Sequence, residues 1–201
     1  MNIAMLFGIF FVLVMLSVPI GVSLGLATSV TIILTSDIAP VLVAQKAFTG
    51  LDTFTLLAIP FFILAGNLMA YGGIARRIVK LADAAVGKYT GGLGMATVIG
   101  CMFFAAISGS GPATVVAMGA IMIPEMVKRG YDKGFATGLT ATAGTIGVII
   151  PPSIPFVIYG VASGTSVGDL FKGGFIPGFL IGFALMLVSY LISKKRSYKG
   201  M

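Results

Sequence analysis

Two stretches limit what this chain can fold into: "FAAISGSGPATVVAMG" at residues 104–119 and "GTIGVIIPPSIPFVIYG" at 144–160. Each is apolar on both sides and carries Gly, Ser and Pro at its centre, where an α-helix loses hydrogen bonds and breaks. The rest of the chain is as apolar as these flanks. It is 58% hydrophobic and 9% charged, where a soluble domain averages about 25% charged. Apolar runs recur from end to end, which predicts an all-α, polytopic integral membrane protein. In hydrocarbon an unpaired peptide group is costly, so non-helical backbone survives only where protein or a watery cavity covers it. The two interruptions are therefore expected to be covered and to form a site.

Charge and composition narrow the function. Lys and Arg number 13 against 6 Asp and Glu, for a net charge of +7. The basic residues sit in short loops between apolar segments, which suits orientation in a bilayer and argues against a nucleic-acid partner. One cysteine, Cys101, and no histidine exclude an internal disulfide and a thiolate metal cluster, and they leave an intramembrane hydrolase without a base. Cys101 is expected to be a packing residue. The N-terminal "MNIAMLFGIFFVLVMLSVPIG" lacks a basic n-region and stays apolar to about Leu34, so it reads as mature membrane structure and not as a signal peptide.

Residues 3–35 exceed one span and break at "SVPIG"; they form either one kinked span or two short ones meeting at Pro19. Residues 52–71 make a span of ordinary length with Pro60 as a candidate kink. In 74–89, Ile74, Ile78, Leu81, Ala82 and Ala85 recur at helical spacing among Arg76, Arg77, Lys80 and Lys88, the pattern of an interfacial amphipathic helix. Residues 92–107 and 113–127 are apolar halves of about 15 residues, near 22 Å each and short for a crossing. Basic residues flank the pair on both sides, with Arg76, Arg77, Lys80 and Lys88 before it and Lys128, Arg129 and Lys133 after it. The positive-inside rule then places both flanks in the cytoplasm and makes 92–127 a re-entrant hairpin. Residues 133–164 cross with a break at "IIPPSIP", "SGTSVGDLFKGG" (163–174) is an outer loop, and 174–193 return to a basic inner end at 194–199.

The broken segments carry the chemistry. Ser108 and Ser110 supply hydroxyls, Gly109 and Gly111 permit a tight turn, and Pro112 suits the first turn of a second half-helix. Pro151 and Pro152 cannot donate, so the carbonyls of Gly147 and Val148 lose their helical partners. Ser153 follows the break, and Thr145 is a further oxygen donor. No Asp or Glu lies in either segment, so a cation held here would be coordinated by neutral oxygens, as suits sodium better than a proton relay. Asn67 is expected to form an interhelical hydrogen bond, with a substrate contact as the alternative, and Phe156 and Tyr159 to be packing or interface residues.

"LLAIPFFILAGNLM", the two interrupted motifs, "IMIPEMVKRGYD" and "GTSVGDLFKGGFIPGFL" together resemble the large membrane subunit of tripartite ATP-independent periplasmic (TRAP) transporters, over nearly the whole chain. The resemblance implies a sodium-driven, elevator-type permease for an organic acid anion such as a four-carbon dicarboxylate, sialic acid or a related sugar acid. Its partners would be a periplasmic substrate-binding protein and a small membrane subunit, in a bacterial inner membrane, with sodium as coupling ion and no other cofactor. Ser108, Gly109 and Ser110 with Thr145, Gly147, Val148 and Pro151 would hold sodium, and Ser108, Ser110 and Ser153 would face the substrate. Residues 1–71 would be scaffold, 72–90 an arm, 91–130 the hairpin, 131–165 the discontinuous helix, and 166–201 a last span with its basic end. That family's subunit is about twice as long, built from two inverted repeats, so the chain corresponds to the first repeat and expects a C-terminal half as partner. A passive pore or a non-transporting scaffold are the alternatives.

Overall fold

The computed structural model describes residues 3–36, 39 and 41–198, and every regular element among them is helical. The chain forms two compact units, Met1–Phe54 and Thr55–Met201.

In the first unit, residues 3–35 are two helices, α1 (Ile3–Met15) and α2 (Ile20–Thr35). Between them Ser17 has φ 61°, and Pro19, extended at ψ 137°, caps α2 without a side-chain bond. The buried residues of α2 are Ser23, Ala27 and Thr31, one turn apart and small enough for close helix approach. A third helix, α3 (Val41–Leu51), has no counterpart in the sequence reading, because eleven residues interrupted by Gln45, Lys46 and Gly50 carry little periodic signal. Asp37 and Lys199 lie outside the described residues.

The boundary between the units falls at the first residue of a 3₁₀ turn, Phe54–Leu57, that runs into α4 (Ala58–Tyr71) of the second unit. Pro60 is the third residue of α4 and follows a 3₁₀ turn whose last residue, Leu57, already has helical φ and ψ (−61°, −21°), so it stands within a continuous helical run. α5 (Ile74–Val86) follows a left-handed Gly73 at φ 78°. It is amphipathic as expected, but its core-facing residues differ from the predicted set. Ala75 and Ala82 are buried and Ile78, Val79 and Val86 are partly so, whereas Ile74 and Leu81 are 41% and 65% exposed. The alanine face lies on α6 because small side chains allow the closer contact, and this leaves Ile74 and Leu81 facing outward.

α6 (Gly92–Ser108) and α7 (Gly111–Lys128) are joined by two residues. Thr97 near the start of α6 donates to the Met126 sulfur near the end of α7 at 3.4 Å, and Ser108 meets Thr114 at 3.2 Å across the tip. The pair is thus an antiparallel hairpin, its arms about 26 and 27 Å long at 1.5 Å per residue. Met118, Met122 and Met126 on α7 are fully buried with Phe104 and Ile146, unbranched thioethers filling an irregular interior.

Asp132 caps α8 (Lys133–Gly144) by accepting the Phe135 N–H at 2.9 Å. α8 tightens into a 3₁₀ turn, Thr145–Val148, breaks at 149–153, and resumes as α9 (Ile154–Ser163). The expected loop at 163–174 is mostly helix. A left-handed Gly164 ends α9, Ser166 caps α10, and α10 runs Val167–Lys195, about 44 Å. The hydrophilic "SGTSVGDLFKGG" conceals a helix start, because Ser166 followed by Asp169 is a capping sequence as well as a polar one. α10 buries Gly174, Gly178, Gly182, Ser189 and Ser193. Gly174 sits against Ile149 and Phe156, Gly178 against Ile150, Gly182 against Met102, Ser189 against Gly94 and Ser193 against Gly91. One helix thereby braces both interrupted segments.

Past α10 the chain turns back. The Tyr198 carbonyl accepts the Gly91 N–H at 3.1 Å, its hydroxyl accepts the Asp132 N–H at 3.0 Å, and its ring stacks on Tyr131 at 4.3 Å. Arg196 pairs with Asp132 at 3.4 Å. Both feet of the hairpin and the start of α8 are held together at this end.

Candidate functional site

The two interruptions meet. Gly109, left-handed at φ 62°, ends α6, and its carbonyl accepts the Ile154 N–H from beyond the second break at 3.0 Å. A Cβ on Gly109 would lie 2.9 Å from the Pro152 carbonyl oxygen. One on Gly111 would lie 3.2 Å from the Gly144 carbonyl oxygen, and one on Gly147 would lie 3.0 Å from that of Ser110. Main chain packs on main chain at each of these points, which only a residue without a side chain allows.

The two breaks are also built alike. Ser110 is extended at φ −133°, ψ 121°, and Ser153 at φ −131°, ψ 124°. Each is the N-cap of the next half-helix, each hydroxyl accepts the N–H three residues on at 3.4 Å (Ala113 and Phe156), and each is followed by x-Pro. "SGP" and "SIP" are therefore the same device, a serine cap followed by proline where no donor is missed.

The sequence-predicted residues take definite places. Ser108 is buried, with its Oγ within reach of the Ser110 carbonyl and N–H at 3.4 Å and of the Thr114 hydroxyl at 3.2 Å. Ser110 is half-buried at the tip. Ser153 is fully buried and donates to the Val148 carbonyl at 2.7 Å. Gly147 is buried against the tip, Val148 is half-buried, and Pro151, joined to Pro152 by a cis peptide, is buried. Thr145 is exposed and donates to the Thr142 carbonyl at 2.7 Å, at the rim of this arrangement. Among the described residues no backbone N–H donates to the carbonyls of Gly147, Val148, Pro151 or Pro152. Pro151, Pro152 and Pro155 remove the donors that the Gly147, Val148 and Pro151 carbonyls would find four residues on, and the Phe156 N–H, due to the Pro152 carbonyl, goes to the Ser153 hydroxyl instead. The described acids are elsewhere: Asp83 and Glu125 pair with Arg129, Asp132 with Arg196 and Asp169 with Lys172, and Asp52 is exposed ahead of α4. Oxygens in this region are thus neutral carbonyls and hydroxyls, which suit a hard, weakly charged cation.

Sequence reasoning passed over Thr114, Gly66 and Ile154. Thr114 is fully buried and binds the Ser110 carbonyl at 2.8 Å, stitching the tip; its place four residues after Ser110 was a legible signal. Gly66 lets α4 approach Ser108, since a Cβ there would lie 3.2 Å from the Ser108 Cβ. Nothing in "AGNLM" marks that contact. The adjacent Asn67 is exposed, and the interhelical bond expected of it is not formed with any of the described residues. Cys101 is buried, as expected, and Phe156 packs beside Phe171 and Gly174.

An apolar helical chain whose two broken helices meet backbone to backbone belongs to the class of membrane transport proteins built on discontinuous helices. More particularly, the chain belongs to the family described as tripartite ATP-independent periplasmic transporter, DctM component, whose profile matches residues 7–201. It is 53% identical over 195 residues to the isethionate TRAP transporter permease protein DctMQ of Oleidesulfovibrio alaskensis, covering 97% of this chain and 31% of that protein. It is 48% identical to the C4-dicarboxylate TRAP transporter large permease protein DctM of Vibrio cholerae, over 96% of this chain and 43% of the relative. It is 44% identical to the sialic acid TRAP transporter large permease protein SiaM of the same organism, over 90% and 42%. The chain thus spans less than half the length of these curated relatives.

Proposed function

We propose that this chain forms the N-terminal part of a TRAP permease that imports an organic acid anion coupled to sodium. The substrate is a four-carbon dicarboxylate, a sialic acid or a related acid such as a sulfonate, the compounds named for its relatives. A periplasmic binding protein delivers it, and a small membrane subunit and a C-terminal half complete the permease in the inner membrane. The observation that carries this reading is the docking of the hairpin tip into the α8–α9 break. The Gly109–Ile154 bond holds it, and the Gly147, Val148 and Pro151 carbonyls lie beside it without backbone donors.

In this reading those carbonyls, with Ser108, Gly109, Ser110 and Thr145, ligate sodium. Ser108 and Ser110 turn hydroxyls toward a substrate carboxylate, and Ser153 does so by giving up its bond to the Val148 carbonyl. Basic residues on both flanks keep the feet of α6 and α7 in the cytoplasm, so the hairpin is re-entrant. α5 is the arm that links fixed and moving parts of an elevator. The test is uptake of labelled succinate, sialic acid or isethionate into proteoliposomes of the complete permease, with and without a sodium gradient and with and without binding protein. Uptake of one of them that needs both supports the proposal. Ion conduction that needs neither would identify a pore, and unchanged uptake by Ser108→Ala and Ser153→Ala would remove these serines from the site.

A further inference from the structure

We infer that the groove between α4 and α7 is an anion vestibule of the interrupted-helix site, taking small carboxylates that pair with Arg76. The inference rests on the transport reading for its purpose but not for its geometry.

The groove has a volume of about 550 Å³ and starts beside the hairpin tip, at Gly66 and Pro112. Gly66 is the residue that touches Ser108, so groove and tip share a wall. Along α7 the groove is lined by Ala113, Ala117 and Ala120 with the larger Val116, and Asn67, Tyr71 and Arg76 also line it. Alanines one turn apart leave the space open, where larger side chains would close it.

Among the described residues that line this groove, Arg76 carries the charge, with the Asn67 amide and the Tyr71 hydroxyl as the other polar side chains. Arg76 makes no ion pair and no side-chain hydrogen bond with the described residues, whereas Arg129 holds Asp83 and Glu125, and Arg196 holds Asp132. The Asn67 amide is likewise without a partner. No acid lines the groove, and Arg77 and Lys80, also exposed on α5, add to the positive field. An acyl chain here would leave a guanidinium and an amide without partners. A carboxylate answers the guanidinium, which binds it with two parallel bonds. The charge and the open volume together select a small organic anion.

The experiment reads charge selectivity in the groove directly. Ala117→Cys, and Ala120→Cys as a second position, are made in the complete permease, with the fully buried Cys101 left in place and the parent protein as blank. Inside-out vesicles are labelled with the anionic thiol reagent MTSES and the cationic MTSET, and the rates are normalised to those on a free thiol. The expected result is faster labelling by MTSES, by about tenfold, the effect of one nearby charge under partial screening. Arg76→Gln should bring the ratio near one, Arg76→Lys should retain most of it, and succinate should slow MTSES only where the cation is present. An equal ratio in the parent and Arg76→Gln backgrounds overturns the inference. So does reaction of both cysteines with N-phenylmaleimide alone, which would mark the groove as filled by lipid. Labelling requires no transport, so charge selectivity in a permease indifferent to sodium would sink the transport reading and leave this one standing.

Discussion

Gly147→Ala tests the site most directly, because it adds one methyl group at the point where the two breaks touch. The new Cβ would lie 3.0 Å from the Ser110 carbonyl oxygen and 3.1 Å from both Gly111 N and the Ser110 carbonyl carbon. Relaxed contacts begin near 3.5 Å, so the tip must retreat by roughly 0.4 Å. All three neighbours are main-chain atoms, and no rotamer change relieves them. Overpacking of this kind costs about 1–3 kcal/mol. The Gly109–Ile154 hydrogen bond, at 3.0 Å, is strained by the same retreat and adds about 1 kcal/mol. A combined penalty of about 2–4 kcal/mol on the docked state raises the sodium concentration for half-maximal uptake about 30- to 800-fold. Gly138→Ala is the control, since nothing lies within 4 Å of its Cβ in α8. Replacing a glycine inside a helix there should leave uptake alone and stabilise by about 0.5–1 kcal/mol. Sodium titrations of uptake in proteoliposomes, with melting curves of both variants, decide the matter. Wild-type sodium dependence and melting in Gly147→Ala would refute the claim that backbone contact between the breaks builds the site.

Other expectations follow from the same contacts. Ser153→Ala removes a fully buried cap and the partner of the Val148 carbonyl, so it should destabilise by about 1–2 kcal/mol. Ser110→Ala, with a half-buried cap at 3.4 Å, should cost less, and thermal unfolding in detergent ranks the two. Tyr198→Phe keeps the stack on Tyr131 but loses the acceptor of the Asp132 N–H, whereas Tyr198→Ala loses both. Amide exchange at Gly91 and Asp132 should rise modestly in the first and by about tenfold or more in the second. Arg129→Gln frees Asp83 and Glu125. Being partly exposed, these pairs should account for no more than about 1 kcal/mol, a difference that shrinks in high salt during the same melting assay.

Helical, membrane-embedded architecture and the positions of both interruptions were legible in the sequence, because each has a local cause. Proline deletes a donor wherever it stands, glycine permits a left-handed turn without help, and a serine before x-Pro caps the helix it begins. Composition settled the solvent for the same reason, since 9% charged residues cannot coat a water-soluble surface. Tertiary structure alone decided the rest. That Gly109 reaches Ile154, that Gly147 lies against Ser110, and that α5 turns its alanines inward while Ile74 and Leu81 face out are outcomes of packing between segments 37 to 45 residues apart or on separate helices. A residue's own side chain carries little record of what another segment places beside it. Glycine is the extreme case, since the contact it allows is visible only when the opposing backbone is present.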